Sequence, residues 1–400
     1  MRTLLFSSLY PSAERPLHGV FVEARLRELL KCGRVETRVV APVPWFPSTS
    51  ERWGEYARHA RTPRREHING VEVLHPRYAL PPRVGMTIAP LSMALASLPT
   101  LRRLIRSGFD FDLIDAHYYY PDGVAATLLG ALLGKPVTVT ARGSDINLLP
   151  EFLGPRLWLR WAGRRARASI GVSAALVDRM RALGLDPARL HVMRNGVDLE
   201  RFRPHDRAAA RRELGIGGAP VLLTVGNLHE YKGQRIAVDA LAWLRRDHPE
   251  ARLLIVGAGP DEAALRARVD AAGLANAVRF VGTVPNAELA RWYSAADLLV
   301  LASSREGWPN VLLESMACGT PVVASAVGGV PEIVAAPEAG IVVDQREAAE
   351  FGAAIKHLLE APPARAAVRA YAERHGWEVT SRAQLALFDT LAAGDLRCAT

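Results

Sequence analysis

Short apolar runs recur along the chain, each followed by a longer stretch whose apolar residues fall three and four positions apart. A strand covered on both faces reads as an unbroken apolar run, and a helix lying on it shows one apolar stripe. The alternation therefore predicts parallel sheets wound with helices, an α/β fold. In the first half the runs predict strands over residues 3–8, 37–41, 113–117, 137–140, 168–172 and 191–194, with helices such as 20–31 and 123–133 between them. In the second half they predict strands over 220–225, 252–256, 278–281, 298–301, 322–324 and 341–343, with helices that include 234–246 and 261–272. Residues 42 to about 83 are rich in proline, arginine and aromatics and break this rhythm, so they read as an insertion with short strands of its own.

The chain has 400 residues, more than one core usually supports, so two domains are expected. Asn195-Gly196-Val197-Asp198, then Phe202-Arg203-Pro204, reads as the link that separates a domain of residues 1–198 from one of residues 199–376. A last helical pattern starts at about Trp377. Residues 84–101 are the most membrane-like stretch, but Pro90 and Pro99 interrupt it, and no transmembrane span is expected. The N-terminus turns polar too soon for a signal peptide. Cys32, Cys318 and Cys398 are odd in number and lack CxxC spacing, which suggests neither a disulfide framework nor a zinc site and fits a reducing cytosol.

Charge is unevenly spread. Residues 1–200 carry 28 Lys+Arg against 18 Asp+Glu, whereas residues 201–400 carry 22 against 23. The basic half should face something anionic: a phosphorylated acceptor, a lipid headgroup or nucleic acid.

The candidate chemistry centres on Glu306-Gly307-Trp308-Pro309-Asn310-Val311-Leu312-Leu313-Glu314. Pro309 suits the first turn of a helix, and Gly319 suits its left-handed end. Glu306 then lies in the loop ahead of the helix and Glu314 on its second turn, with unpartnered helix N–H groups between them. Carboxylates grip hydroxyls and free amides hold an anion, so the arrangement suits a nucleotide sugar. The bland alternative is a buried helix with a glutamate at either end. Asn227 to Gly233 joins a predicted strand to a helix, where Lys232 could neutralise a phosphate leaving group. His117 ends a predicted strand, where α/β folds place ligands, although a lone histidine is more often structural. Gly257-Ala258-Gly259-Pro260 also ends a strand, and Pro260 departs from the full dinucleotide fingerprint.

The Glu306–Glu314 stretch resembles the Glu-x7-Glu motif of retaining glycosyltransferases of the family 4 type. The Asn195–Asp198 link, Lys232-Gly233 and the segment around His117 also resemble that family, so the resemblance covers nearly the whole chain. It implies the GT-B fold, two Rossmann-like domains facing across a cleft, with the final helix crossing back to the first domain. It implies that Glu306 holds donor-sugar hydroxyls and that Glu314 holds the ribose. Lys232 would lie on the donor pyrophosphate and His117 near the reaction centre on the acceptor side. Gly19, after the first strand, matches the family's phosphate loop. Gly257 and Val284 lie in segments that meet the nucleotide, and Gly307 to Val311 complete the donor contacts. Two departures stand out. Asn227 occupies the position of a family arginine, and Arg142, in Arg142-Gly143-Ser144-Asp145, replaces a family histidine. Arg142 could hold an anionic acceptor, with Asp145 beside it, or pair with a local carboxylate.

Asp110-Phe111-Asp112 leads into a strand without further ligands nearby, so it reads as structural and no metal or other cofactor is expected. The basic, aromatic segment Pro155 to Arg167, with Trp158 and Trp161, has the composition of a helix lying on an anionic membrane or, more simply, of one packed on the first sheet. The start of the chain resembles bacterial enzymes of cell-surface polysaccharide assembly, which extend lipid-pyrophosphate-linked sugars at the cytoplasmic membrane face. The expected protein is thus a retaining, metal-independent hexosyltransferase. Its partners would be a nucleotide-sugar donor, a glycan or lipid-pyrophosphate-linked acceptor and an anionic membrane surface, with no nucleic acid. Two alternatives stand beside it: a nucleotide-sugar 2-epimerase of the same fold, or a non-catalytic basic protein that binds membrane or nucleic acid.

Overall fold

The computed structural model describes residues 1–81 and 85–396. Pro82 and Arg83, at the end of the expected insertion, and Cys398 lie outside the described residues. The chain divides into two compact units, Met1–Arg194 with Thr380–Thr400, and Asn195–Val379. The first division falls at Arg194, where 198 was expected. The second falls three residues into the helix Trp377–Leu396.

The first unit contains β1 (Arg2–Phe6), β2 (Glu36–Val40), β3 (Val43–Pro44), β4 (Arg65–Ile68), β5 (Val71–Leu74), β6 (Arg77–Tyr78), β7 (Leu113–His117), β8 (Val137–Ala141), β9 (Ala168–Gly171) and β10 (Leu190–Val192). Eight of them form one sheet in the order β10-β9-β8-β7-β1-β2-β5-β4, with β3 and β6 a separate pair. Every pairing in the large sheet is parallel except that of β4 with β5. Strands β7, β8 and β9 are buried at every position, as expected of strands covered on both faces. The insertion supplies β3 to β6, of which β4 and β5 extend the edge of the main sheet. Leu385 and Phe388 of the last helix pack against Leu29, Val35 and Leu113, which accounts for its place in this unit.

One helix, Gly85–Arg106, runs through both Pro90 and Pro99. Proline cannot donate to the carbonyl four residues earlier. For Pro90 that carbonyl belongs to Met86, and the Tyr120 hydroxyl donates to it instead. Tertiary hydrogen bonding thus replaces what the helix lacks. Among the described residues no helix is long and apolar enough to cross a membrane.

The second unit contains β11 (Val221–Val225), β12 (Arg252–Val256), β13 (Val278–Gly282), β14 (Leu298–Leu301), β15 (Val322–Ser325) and β16 (Gly340–Val343). All pair in parallel, in the order β13-β12-β11-β14-β15-β16. The strand order reverses between β11 and β14, and ligands of open α/β sheets bind beyond the carboxyl ends of strands at such a point. The loops there approach one another closely. A Cβ on Gly257 (φ +136°) would lie 2.0 Å from the Gly226 carbonyl oxygen, and one on Gly233 (φ +71°) 2.0 Å from that of Ala302. Backbone bonds lace the same edge: Gly226 N–H donates to Val256 O at 2.9 Å, and Gly257 N–H to Gly282 O at 2.8 Å.

Gly257→Ala combines a left-handed backbone with a backbone clash and should cost at least about 3 kcal/mol of stability. Gly273 also has a positive φ, in the ordinary left-handed region (+67°), with open space around it, so Gly273→Ala should cost only about 1 kcal/mol. Urea denaturation of both variants measures the difference, and equal losses would contradict the close approach.

Candidate active site

Lys232 and Glu306 meet at the reversal point of the second sheet. Lys232 ends a short turn after β11, and Glu306 lies in the loop after β14. The ammonium donates to Glu306 Oε1 at 2.8 Å, with the two side chains 22% and 9% exposed. Gly328 (φ +53°) explains how Glu306 is held, since a Cβ there would sit 2.0 Å from the Glu306 carbonyl oxygen. Gly329 N–H donates to Gly307 O at 3.2 Å. The Gly328-Gly329 pair is therefore the floor under Glu306. The Trp308 indole is buried and donates to Asn195 O at 3.0 Å, tying the loop to the link segment. Of the expected donor contacts, Trp308 thus faces inward.

Pro309 stands just before the helix Asn310–Ala317 as its capping residue, one place earlier than expected, and Gly319 (φ +75°) ends the helix in left-handed geometry. The N-terminal N–H groups of this helix follow Glu306 directly, and Asn310 Oδ1 accepts from Asn195 Nδ2 at 3.3 Å. Val311 is half-buried in the first turn. Glu314, on the second turn, accepts from the Tyr293 hydroxyl at 2.8 Å. Burial pushes the Glu314 carboxyl up to about 7, opposed by the Tyr293 hydrogen bond and the nearby Arg201. Asn227 is exposed, Gly257 and Val284 are half-buried, and all three lie in loops beyond β11, β12 and β13.

Two partners at this edge were not found from sequence. Arg305 stacks over the Tyr231 ring at 4.7 Å, the same ring that Lys232 approaches at 5.5 Å. A second cation therefore accompanies Lys232 even though Asn227 carries no charge. Its only sequence signal is adjacency to Glu306. Tyr293 had no signal, because its pairing with Glu314 depends on how separate helices pack.

The first unit gathers His117 and Arg142 in a buried polar network. Arg142 Nη2, which can only donate, meets His117 Nδ1 at 2.5 Å, so Nδ1 accepts and the proton lies on Nε2. Nε2–H donates to Asp115 Oδ2 at 3.0 Å. Burial, with Arg142 alongside, lowers His117 to about 4, so the ring is neutral at physiological pH. Asp115 also accepts from Thr138 (2.9 Å) and from Gln384 of the last helix (3.0 Å), and Gln384 in turn accepts from the fully buried Arg25 (2.9 Å). Both nitrogens of His117 are thus hydrogen-bonded within this network. Arg25, Asp115 and Gln384 were not anticipated, since Arg25 and Gln384 are 359 positions apart.

Asp145 accepts from the backbone N–H groups of Tyr119 (2.6 Å), Arg142 (3.0 Å) and Gly143 (2.7 Å). It clamps the Arg142 loop with its carboxylate turned inward. Asp122, also buried, accepts from the Ser8 backbone and, at 3.1 Å, from its hydroxyl, and burial pushes it up to about 7. Gly19 (φ +67°) caps the first helix, and a Cβ there would lie 2.3 Å from the Leu9 carbonyl. Asp110 pairs with Lys135 at 2.7 Å, and Asp112 accepts from Arg2 N–H at 2.8 Å. Among the described residues no group of three or more His, Cys, Asp or Glu is placed to hold a metal ion. Trp158 and Trp161 pack edge to face at 5.6 Å, and Trp158 Nε1 donates to Thr87 O at 3.1 Å. Trp158 is thus fastened to the helix Gly85–Arg106.

Two helix-wound sheets, the second wholly parallel and the first parallel but for one edge pairing, define the class: glycosyltransferases of the GT-B fold. The second unit matches the model of glycosyl transferases group 1 over residues 206–375, and the first matches glycosyltransferase family 4 over residues 19–201. A glycosyltransferase from Bacillus subtilis named for teichuronic acid biosynthesis is 30% identical over 340 residues, covering 83% of each chain. A D-inositol 3-phosphate glycosyltransferase from Catenulispora acidiphila is 32% identical over 314 residues, covering 73% of this chain and 75% of that one. Another with that name, from Segniliparus rotundus, is 40% identical but aligns over only 51% of this chain and 47% of its own. The fold is shared with a sucrose-phosphate synthase from Thermosynechococcus elongatus (TM-score 0.77, 22% identity, 98% and 99% covered) and with Anabaena HepE in complex with UDP (TM-score 0.72, 21% identity, 98% and 100% covered). The chain belongs to this glycosyltransferase family.

The raised Glu314 carboxyl carries a stability consequence. A carboxyl that holds its proton more tightly folded than unfolded destabilises the fold as pH rises from its ordinary range towards about 7. Glu314→Gln keeps the Tyr293 hydrogen bond and removes that cost. Its stability relative to wild type should therefore improve between pH 5 and pH 8 in urea titrations, and a difference independent of pH would contradict the shift.

Proposed function

We propose that the chain is a retaining, metal-independent glycosyltransferase. It takes a sugar from a nucleotide-sugar donor bound at the carboxyl edge of the second sheet. The acceptor is an anionic glycan or lipid-pyrophosphate-linked sugar recognised by the first unit. The observation that carries this is the Lys232–Glu306 pair at the strand reversal, directly ahead of a helix N-terminus. A diphosphate would draw Lys232 and Arg305 to itself and lie against the helix N–H groups, freeing Glu306 for sugar hydroxyls. The bond from the anomeric carbon to the phosphate oxygen then breaks, and the cations take up the charge that develops on the diphosphate. The acceptor oxygen bonds to the same face of the sugar, and its proton passes to the departing diphosphate. Glu314 would hold the ribose.

The relatives named for D-inositol 3-phosphate carry a phosphorylated polyol in that name, and HepE binds UDP. Both agree with an anionic acceptor and a nucleotide donor here. The relative named for teichuronic acid biosynthesis agrees with a place in polysaccharide assembly. Neither the epimerase nor the binding-only alternative is favoured by these relatives.

Purified protein given a panel of nucleotide sugars without acceptor should slowly release nucleoside diphosphate from one of them. The sugar product, or the glycoside formed once an acceptor is found, should keep the donor's anomeric configuration by proton NMR. Glu306→Gln should lower turnover by roughly a hundredfold or more, the scale of losing one transition-state contact. Near-wild-type turnover would remove Glu306 from the site. Turnover should survive EDTA, and loss on chelation with recovery on adding magnesium or manganese would overturn the metal-independent mechanism. Lys232→Ala should weaken nucleoside diphosphate more than free nucleoside, and equal weakening in calorimetry would separate Lys232 from the phosphates.

A further inference from the structure

The Glu314 carboxylate is held by a residue that the donor chemistry leaves unused. Tyr293 lies on the helix Leu289–Ala295, between β13 and β14, and Glu314 on the helix Asn310–Ala317, between β14 and β15. The tyrosine is fully buried, whereas Glu314 is only half-buried. The Tyr293 hydroxyl donates to Glu314 Oε2 at 2.8 Å. Among the described residues nothing donates to Oε1, and that oxygen is open to solvent. The phenol therefore fixes the inner oxygen and leaves the outer one for a ligand.

The phenol has little freedom of its own. The Tyr293 carbonyl accepts from Thr320 Oγ1 at 2.7 Å, and the Thr320 carbonyl accepts from Ser315 Oγ at 2.9 Å, so the two helices are fastened through the turn at Gly319. Arg365 ties them again, since its Nη2 donates to Ser294 O at 3.2 Å and to Cys318 O at 2.9 Å. The Phe202 ring meets the Tyr293 ring edge to face, with 6.0 Å between centroids. A rigid donor locks the rotamer of the carboxylate it binds, as a precise contact to a ligand requires. A glutamate left free would first have to give up its rotamer freedom.

We infer that Tyr293 is a positioning residue for nucleotide recognition: it holds Glu314 so that Oε1 meets a ribose hydroxyl, and it thereby sets a preference for ribonucleotide over deoxyribonucleotide donors. This role rests on the transferase reading above, in which Glu314 holds the ribose, and it adds the residue that makes the contact selective. It also fixes where a proton goes. Because Oε2 accepts from the phenol, a proton taken up by Glu314 belongs on Oε1, and the ribose then loses its charged acceptor, which weakens the bond. Burial places that uptake at about 7. The other ionisable groups near Glu314 are Arg201, Tyr293 and Cys318. Burial keeps the Tyr293 hydroxyl and the Cys318 thiol protonated throughout this range.

Calorimetry with the ribo, 2′-deoxy and 3′-deoxy forms of ADP, GDP and UDP tests this, taking the base that wild type binds best. At pH 8 wild type should prefer the ribo form to at least one deoxy form by roughly tenfold or more, the scale of a hydrogen bond to a charged group. Tyr293→Phe should reduce that preference to within about threefold, through weaker binding of the ribo form. Phe202→Leu disturbs the ring packing but keeps the hydroxyl, so it should lower stability in urea and retain the preference. In wild type, where no variant has to fold, the preference should shrink from pH 8 to pH 5.5. A full preference in folded Tyr293→Phe, an equal loss in Phe202→Leu, or a wild-type preference independent of pH would overturn the positioning role. Wild type that binds all three forms alike would overturn it too, by removing the ribose contact, and would leave diphosphate binding standing. Wild type with no affinity for any nucleoside diphosphate would strike the transferase proposal instead.

Discussion

The second unit's chemistry depends on how closely its loops approach one another beyond the sheet. Three backbone contacts there leave no room for a side chain: Gly233 against Ala302, Gly257 against Gly226 and Gly328 against Glu306. Because the loops after β11, β14 and β15 are pressed together this tightly, Lys232 reaches Glu306 across 74 positions of sequence. A largely buried ion pair gains little net stability, since desolvation offsets much of its attraction. Under the proposed function its value lies in being exchangeable. Each partner is held, mostly dehydrated, where a diphosphate and a sugar hydroxyl would replace the other.

The first unit solves a different problem with charge. It buries Arg25, Asp115 and His117 together, and no member is affordable alone. Gln384 from the end of the chain bonds to both Arg25 and Asp115, so the last helix contributes polar satisfaction as well as the apolar packing of Leu385 and Phe388. The outcome is a neutral histidine with a fixed tautomer that presents an arginine. Arg142 in place of the histidine that the resemblance implies makes this part of the first unit more cationic.

Much of this was legible in sequence. Strands at residues 252–256 and 298–301 fall where their apolar runs lie, because a parallel strand covered on both faces is largely apolar. The placement of Glu306 and Glu314 about a helix start, and of Lys232 at a strand-to-helix junction, was legible because both have local signatures. What stayed hidden was set by tertiary contacts. The helix through Pro90 depends on a hydroxyl from Tyr120, and the Glu314 environment depends on Tyr293. The inward turn of Trp308 and Asp145 was likewise invisible, since residue type reports hydrogen-bonding capacity but not direction. Trp158 fits neither simple expectation: its indole is fastened to a neighbouring helix, while leucines beside it face outward.

The central claim is that Lys232 and Glu306 hold each other until a donor takes their places. It is tested most directly by calorimetry of the best-binding nucleoside diphosphate with wild type and Glu306→Gln. Removing the charge of Glu306 removes the competitor for Lys232, so the diphosphate should bind several-fold more tightly to the variant even as sugar transfer falls. Unchanged or weaker diphosphate binding by a folded Glu306→Gln protein would contradict the exchange.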